Sequence, residues 1–124
     1  MYRVSVWVNR KVLGTNGRFF LGSRGYGSTD GLERRSDGTT QVNPYFYTTQ
    51  DLPEDEWLLV VGHIYPSSDN GTNNHTESGL YTVANGNIGN ITNDYQWLPE
   101  STESVHRSYS VSYTHLTLPT TPYV

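Results

Sequence analysis

Short runs of alternating apolar and polar residues recur along the chain. The first run, residues 2–8 (YRVSVWV), has apolar side chains at every even position and places Arg3, Ser5 and Trp7 on the opposite face. Side chains of a β-strand alternate between the two faces of a sheet, so this pattern predicts a half-buried strand. Similar runs bounded by turn-forming residues predict further strands at 18–22, 45–49, 79–83, 95–98 and 105–109.

Residues 57–65 (WLLVVGHIY) form the most apolar run, bounded by Pro53 and Pro66. A nearly continuous β-branched and aromatic run of this length predicts a central strand that is buried on both faces. The competing prediction is a helix, but nine residues between two prolines are short for one. Gly62 inside the run indicates either a bulge or a close approach of another part of the chain.

Turn signals separate these runs. Asn16-Gly17, Asp37-Gly38 and Asn85-Gly86 predict tight turns, and residues 23–31 (SRGYGSTDG) and 66–78 (PSSDNGTNNHTES) are expected to be exposed loops. Twelve Gly, six Pro and ten Tyr, with only 16% charged residues, agree with short strands joined by turns. The pattern predicts an all-β chain folded as a jelly-roll-like antiparallel β-sandwich.

Charge and cysteine content narrow the classes of function. The net charge is −4, with eight basic and twelve acidic residues, so no nucleic-acid partner is expected. The chain has no Cys, which excludes disulfides and thiolate metal sites. No apolar run approaches the length needed to span a bilayer, so no membrane segment is predicted either.

The residues that carry chemistry do not form a recognisable catalytic motif. His63 lies in the predicted central strand and is expected to be a hydrogen-bonded core histidine, while His75 and Glu77 lie on the long polar loop, where solvation is expected. The acidic residues of 51–56 are interpreted as turn formers beside a hydrophobic strand. No nucleophile elbow, phosphate-binding loop or carboxylate pair stands out. The sequence therefore predicts a protein without catalytic activity or cofactor and assigns no metal ligand. Asp30-Gly31 and Asp69-Asn70-Gly71 resemble fragments of calcium-binding loops without the full series of ligands, so a structural calcium stays open.

The abundance of aromatic residues is the strongest functional signal. Tyr and Trp combine a flat apolar face with a polar edge, which suits them to stacking on sugar rings. The candidate carbohydrate-binding residues are Trp7, Tyr26, Tyr45 and Tyr47. The alternative is that these side chains complete the core or cover a sheet.

Residues 111–124 (VSYTHLTLPTTPYV) resemble the in-frame translation of a transposase-type sequencing adapter. We therefore expect an incomplete β-sandwich domain at residues 1–110 and an artefactual tail at 111–124 that is disordered or loosely attached. Met1 opens directly onto a strand, which is compatible with an internal methionine and a truncated N-terminus as well.

Six segments cover most of residues 2–109 in this order: YRVSVWV, FFLGSRGYG, NPYF, WLLVVGHIYP, SGLYTV and DYQWLPESTESVHRSY. Together they resemble phage and bacterial surface modules of tail-fibre and related structural proteins. The segment YRVSVW is also similar to an early core strand of jelly-roll carbohydrate-binding modules. The resemblance implies a non-enzymatic jelly-roll domain in a longer protein, located on a virion or at the cell surface, with a further strand after residue 109. A surface glycan and the other domains of the fibre are the partners that it implies.

Three functions remain open at this point. The first is a module that recognises a glycan or another host-surface group. The second is a purely structural fibre domain without a ligand. The third is an extracellular glycan-cleaving enzyme of sandwich fold, which lacks support because no carboxylate pair is evident.

Overall fold

The computed structural model of this 124-residue chain describes residues 1–11, 18–26, 31–40, 44–49 and 52–111. Within these ranges no helix is long and apolar enough to cross a membrane. The described residues form nine strands: β1 (Tyr2–Asn9), β2 (Arg18–Tyr26), β3 (Leu32–Arg34), β4 (Tyr45–Thr49), β5 (Trp57–Tyr65), β6 (Gly79–Thr82), β7 (Gly86–Gly89), β8 (Tyr95–Trp97) and β9 (Glu103–Val111).

β5 is the central strand of a six-stranded sheet. One edge of β5 pairs with β1 along its length; the other edge pairs with β6 and then, in parallel, with β8. β7 extends the sheet beyond β6, and β3 extends it beyond β8. β2, β4 and β9 form a second, three-stranded sheet with β2 in the middle. The predicted all-β sandwich is confirmed, and the parallel β5–β8 pair makes its larger sheet mixed.

The core lies between the two sheets; it follows the predicted alternation in β1, whereas β5, predicted to be buried on both faces, leaves Trp57 exposed on its outer face. Even-numbered side chains of β1 and β5 point inward, and Val60 and Ile64 are completely buried. Phe46 approaches from the smaller sheet and meets Tyr95 edge-on, with ring centroids 5.3 Å apart. Buried members of the core are Val4, Phe19, Leu21, Leu32, Phe46, Leu58, Val60, Ile64, Ile91 and Tyr95.

The predicted loop at residues 23–31 is wrong over its first part. β2 continues to Tyr26 because β9 pairs with it along its whole length, from Arg18–Val111 to Tyr26–Glu103. β3 was not predicted, since its three residues gain strand geometry from pairing with β8 and carry no pattern of their own. Both elements depend on partners that are distant in the sequence.

Two of the three predicted turns are confirmed. Gly38 and Gly86 have φ values of 71° and 65°, which are costly for any residue with a Cβ. The Asp37 carboxylate accepts bonds from the Thr39 amide and hydroxyl, which fixes the first turn. The predicted turn at Asn16-Gly17 lies outside the described residues.

β9 ends at Val111, one residue beyond the predicted domain boundary, and residues 112–124 lie outside the described ranges. β9 pairs with β2 on one edge, and no strand in the described part of the chain pairs with its other edge. The tail therefore stays a prediction.

Gly62 permits a close contact between the two sheets. A Cβ added at Gly62 would fall on the Phe46 ring, within 2.5 Å of its Cγ. Of the two predicted alternatives, close approach is therefore confirmed, since β1 and β5 keep an unbroken register past this residue.

Gly62→Ala is expected to lower the free energy of unfolding by about 1–3 kcal/mol, because Phe46 and the sheet must move apart. Urea denaturation of the purified chain measures the change. Gly89→Ala is the matched control, since its Cβ would meet Leu80 at an ordinary 3.4 Å. An equal effect of the two substitutions would contradict this account of the contact.

Candidate functional site

The outer face of the six-stranded sheet carries an exposed aromatic surface. Trp7 pairs with Leu59, which in turn pairs with Tyr81, so these three side chains share a face. Trp57 lies two residues before Leu59 and is the diagonal neighbour of Trp7. The two indoles are 48% and 55% exposed, respectively. We refer to Trp7, Trp57, Leu59 and Tyr81 as the aromatic face.

The other half of the same outer face is covered by residues 66–78, which we call the covering loop. At this end of β5 the outward side chains Val61, His63 and Tyr65 are buried, with exposures of 1%, 3% and 9%. His75 of the covering loop stacks on His63, with ring centroids 4.0 Å apart. This loop was expected to be solvated; most of its residues are exposed, but its end folds back onto the sheet.

Asp94, which is completely buried, anchors the covering loop to the sheet. Its Oδ1 accepts the His63 amide at 2.8 Å, and its Oδ2 accepts the His75 amide at 2.7 Å and the Ser78 hydroxyl at 2.6 Å. Its own amide donates to Asn74 Oδ1 at 2.9 Å. Bonds to a carboxylate are stronger than bonds between neutral groups, so Asp94 holds β5 and the loop together.

The bonds of Asp94 fix the protons on Ser78 and His63. Because the Ser78 hydroxyl donates to the carboxylate, its oxygen accepts from His63 Nδ1, which lies 2.7 Å away. The neutral His63 ring therefore carries its proton on Nδ1 and has a lone pair on Nε2. His63 cannot act as a base toward Ser78 in this arrangement, so the three residues are not a nucleophilic triad.

The expectation that His63 is a hydrogen-bonded core histidine is confirmed. Burial lowers the pKa of His63 below its ordinary value of 6.5, and the neighbouring His75 lowers it further. The stacked partner, His75, accepts the Glu77 amide on Nδ1 at 3.0 Å. Both imidazoles are thus held in defined orientations by the covering loop and the sheet.

A buried arginine fixes the other end of the covering loop. Arg35 donates to Asp69 Oδ1 at 2.8 Å and to the Asn73 carbonyl at 2.9 Å, and its guanidinium lies 3.5 Å from the centroid of the Tyr65 ring. The bond from Arg35 is the main reason that the pKa of Asp69 falls below 3.8. The Asp69 carboxylate therefore helps to hold the covering loop in place through its bond to Arg35.

The four predicted carbohydrate-binding residues do not come together. Trp7 lies on the aromatic face, whereas Tyr47 packs against the core and is half-buried. Tyr26 and Tyr45 lie on the outer face of the smaller sheet, but about 13 Å apart along β2. Tyr45 packs against Phe20 with centroids 5.1 Å apart, and Arg24 lies over the Tyr26 ring.

Trp57, Tyr81, His75 and Asp94 are candidate site residues that were not recognised from the sequence. Trp57 was interpreted as the start of a buried strand, yet its odd position places it with Trp7. Within residues 57–65 the odd positions share one face of the strand and the even positions share the other. Which of the two faces lies outward could be told only from the pairing register with β1. No local pattern indicates that His75 and Asp94 converge on β5.

A shallow groove of about 420 Å³ lies at another place on the surface. Trp97, Leu98 and Pro66 supply its apolar lining, and Glu103 supplies a carboxylate. Trp97 also packs against the core, so one side of its ring is not available to a ligand.

Asp94→Ala is expected to lower the free energy of unfolding by at least about 3 kcal/mol, because a buried amide, a buried hydroxyl and a part-buried amide lose their acceptor. Asp94→Asn should cost less, since one acceptor oxygen remains. Denaturant unfolding provides the measurement, and Asp37→Ala, on an exposed turn, is the control. Equal losses at Asp94 and Asp37 would show that the buried network does not stabilise the fold.

The stability should also decrease as the pH falls below 6.5, the ordinary pKa of histidine. Burial lowers the pKa of both His63 and His106 from 6.5, so the unfolded chain binds these protons more readily than the folded chain. The free energy of unfolding is therefore highest above pH 6.5. It decreases as the pH falls through 6.5 toward the lowered pKa values of the two histidines.

Urea titrations across this range measure the pH dependence of the free energy of unfolding. His106→Gln should remove only the part of this dependence that His106 contributes. Asp37 and Asp69 change the stability only below pH 3.8, because their pKa values are lowered from 3.8, so they do not contribute to the pH dependence near 6.5. A stability that stays constant as the pH falls below 6.5 would contradict the assignment.

Comparison of the chain with protein-family models, with curated proteins and with solved structures gives no match in any of the three.

Proposed function

We propose that this chain is a non-catalytic binding module that recognises a surface glycan on its aromatic face. The observation that carries the proposal is the pair of half-exposed indoles, Trp7 and Trp57, at diagonal positions of one sheet. Diagonal neighbours lie about 7–8 Å apart, which is a spacing that one or two sugar rings can cover. Indole faces bind the apolar C–H face of a sugar, while the edges leave room for its hydroxyls.

The surroundings of the indoles suit a sugar. Asn87 is exposed and lies opposite Tyr81, so an amide group flanks the aromatic face. Amides both donate and accept hydrogen bonds, as sugar hydroxyls require. The central position of β5, bonded on both edges, keeps the platform rigid and limits the entropy that is lost on binding.

A non-catalytic role agrees with the chemistry of the described surface. Glycosidases use two carboxyl groups across a cleft. The groove beside Trp97 presents Glu103 as its one carboxylate among the described residues, and the aromatic face itself carries none. The net charge of −4 likewise disfavours a nucleic-acid ligand.

The setting of the module is a further part of the proposal. The resemblance to tail-fibre and carbohydrate-binding modules supports a place in a phage tail fibre or another virion or cell-surface protein. The other domains of such a fibre would then be its partners.

A purely structural fibre domain is the second candidate. It is favoured by two long strands, β1 and β9, whose outer edges pair with no strand in the described ranges. The two edges lie on the same side of the sandwich, since Tyr2 of β1 stacks on His106 of β9 with centroids 4.8 Å apart. In this role a neighbouring fibre domain would cover the side of the sandwich.

Binding of the purified chain to a glycan array, followed by calorimetry on the best ligand, tests the proposal. Trp7→Ala and Trp57→Ala should each weaken binding by at least about tenfold, which is about 1.4 kcal/mol. Tyr26→Ala, an exposed aromatic on the other sheet, is the matched control and should leave the affinity unchanged. Circular dichroism confirms that each variant is folded.

Other outcomes would reject the proposal. A loss of affinity in Trp97→Ala but not in the Trp7 and Trp57 variants would move the site to the groove. A folded chain that binds no glycan would favour the structural role.

A further inference from the structure

Three potential metal ligands converge where the covering loop meets β5. One ligand atom from each of His63, His75 and Glu77 lies within 4.8 Å of the other two. His63 comes from the sheet, and the other two come from the loop. His63 is buried, His75 is half-buried and Glu77 is exposed, so the cluster reaches from the protein interior to the solvent.

The hydrogen bonds of His63 prepare it to bind a cation. Its Nδ1–H donates to the Ser78 hydroxyl oxygen, and the Ser78 hydroxyl in turn donates to the Asp94 carboxylate. A histidine that binds a metal typically donates its second N–H to a carboxylate or to an intervening polar group, which fixes the ring and raises its basicity. The lone pair on Nε2 remains available for a metal.

The stacked histidines indicate how a cation would enter. A metal lies in the plane of each imidazole that it binds, whereas the two rings are nearly parallel, at 21°, with centroids 4.0 Å apart. The stacked arrangement therefore cannot chelate one ion. Around a tetrahedral ion the ligand atoms lie about 3.3 Å apart, so the ligands must close by rotation of His75 and Glu77.

His75 can rotate at a modest cost. Its Nδ1 accepts the Glu77 amide, and this bond is lost if either the ring turns or a metal takes its lone pair. The backbone of His75 stays in place, because its own amide is bonded to buried Asp94. Coordination would thus replace the stack on His63, the contact with the Tyr65 ring and the bond from the Glu77 amide, on a fixed backbone.

We propose that His63 Nε2, the His75 imidazole and the Glu77 carboxylate form a site for a divalent transition-metal ion, with zinc as the expected occupant. Two imidazoles and one carboxylate are the ligands of many zinc sites, and they favour zinc, nickel and copper over calcium and magnesium. The charge of Glu77 and that of Asp94 behind Ser78 favour the cation. Arg3, which pairs with His63 across β1 and β5, carries a positive charge that opposes cation binding.

The site has a structural consequence that differs from glycan binding. The ion would join β5 to the covering loop, whose Glu77 carbonyl accepts the Tyr81 hydroxyl of the aromatic face at 2.7 Å. Metal binding should therefore stabilise the chain and order the loop whether or not a glycan is bound. The inference stands independently of the proposed function.

Calorimetric titration of the metal-free chain with zinc chloride tests the site. One ion per chain is expected, with calcium and magnesium giving no heat of binding. His75→Gln and Glu77→Gln should each weaken zinc binding at least tenfold, and Ser78→Ala should weaken it 10- to 100-fold through the orientation of His63. His106→Gln, which removes a histidine from the other sheet, is the matched control and should bind zinc as the parent does.

Cobalt provides a second readout, because Co²⁺ in a site of low coordination number absorbs visible light strongly. The parent chain and His106→Gln should show this absorption, and His75→Gln should lose it. Both loop variants change exposed or half-buried side chains, so they avoid the folding defect expected at buried His63. Zinc affinity that is unchanged in His75→Gln and Glu77→Gln, or the absence of zinc binding to the folded parent, would overturn the proposal.

Discussion

The bonds of Asp94 are the constraint on which the functional face of this domain depends. A carboxylate that is removed from water is tolerated only if it is well paired, and Asp94 accepts three bonds from β5 and the covering loop. Its carbonyl also accepts the amide of Arg35, the residue that clamps the far end of the loop. One side chain and its backbone therefore hold together parts of the chain that are distant in sequence.

This anchor divides the outer face of the six-stranded sheet into two parts with different properties. Where the loop lies on the sheet, His63 and Tyr65 are buried; His63 Nδ1 donates to Ser78, and the Tyr65 ring lies against the Arg35 guanidinium. Beyond the loop, Trp7 and Trp57 remain exposed on the same strands. A sheet face left uncovered next to a covered half is a typical place for a ligand or a partner, because large exposed apolar surfaces are otherwise avoided.

Sequence patterns predicted the strands well where burial imposes a period of two. β4 and β5 have the predicted bounds, and the even residues of β1 point inward as expected. The prediction failed where strand geometry comes from a partner: β2 runs on through Gly25, and β3 forms on β8 without an apolar pattern. The residues of the candidate site were recognised or missed for the same reason. Trp7 was recognised because its own strand alternates, whereas Trp57 was hidden in a run that is apolar on both faces.

The sequence alone determined the fold class, the central strand, the inward face of β1 and the glycine turns, because each of these depends on residues that are neighbours along the chain. Only the tertiary structure decided which outward residues meet. Sheet register placed Trp57 beside Trp7, and the fold of the covering loop brought His75 to His63 and Ser78 to Asp94. These contacts join residues that are 12 to 50 positions apart, and no local periodicity encodes such pairings.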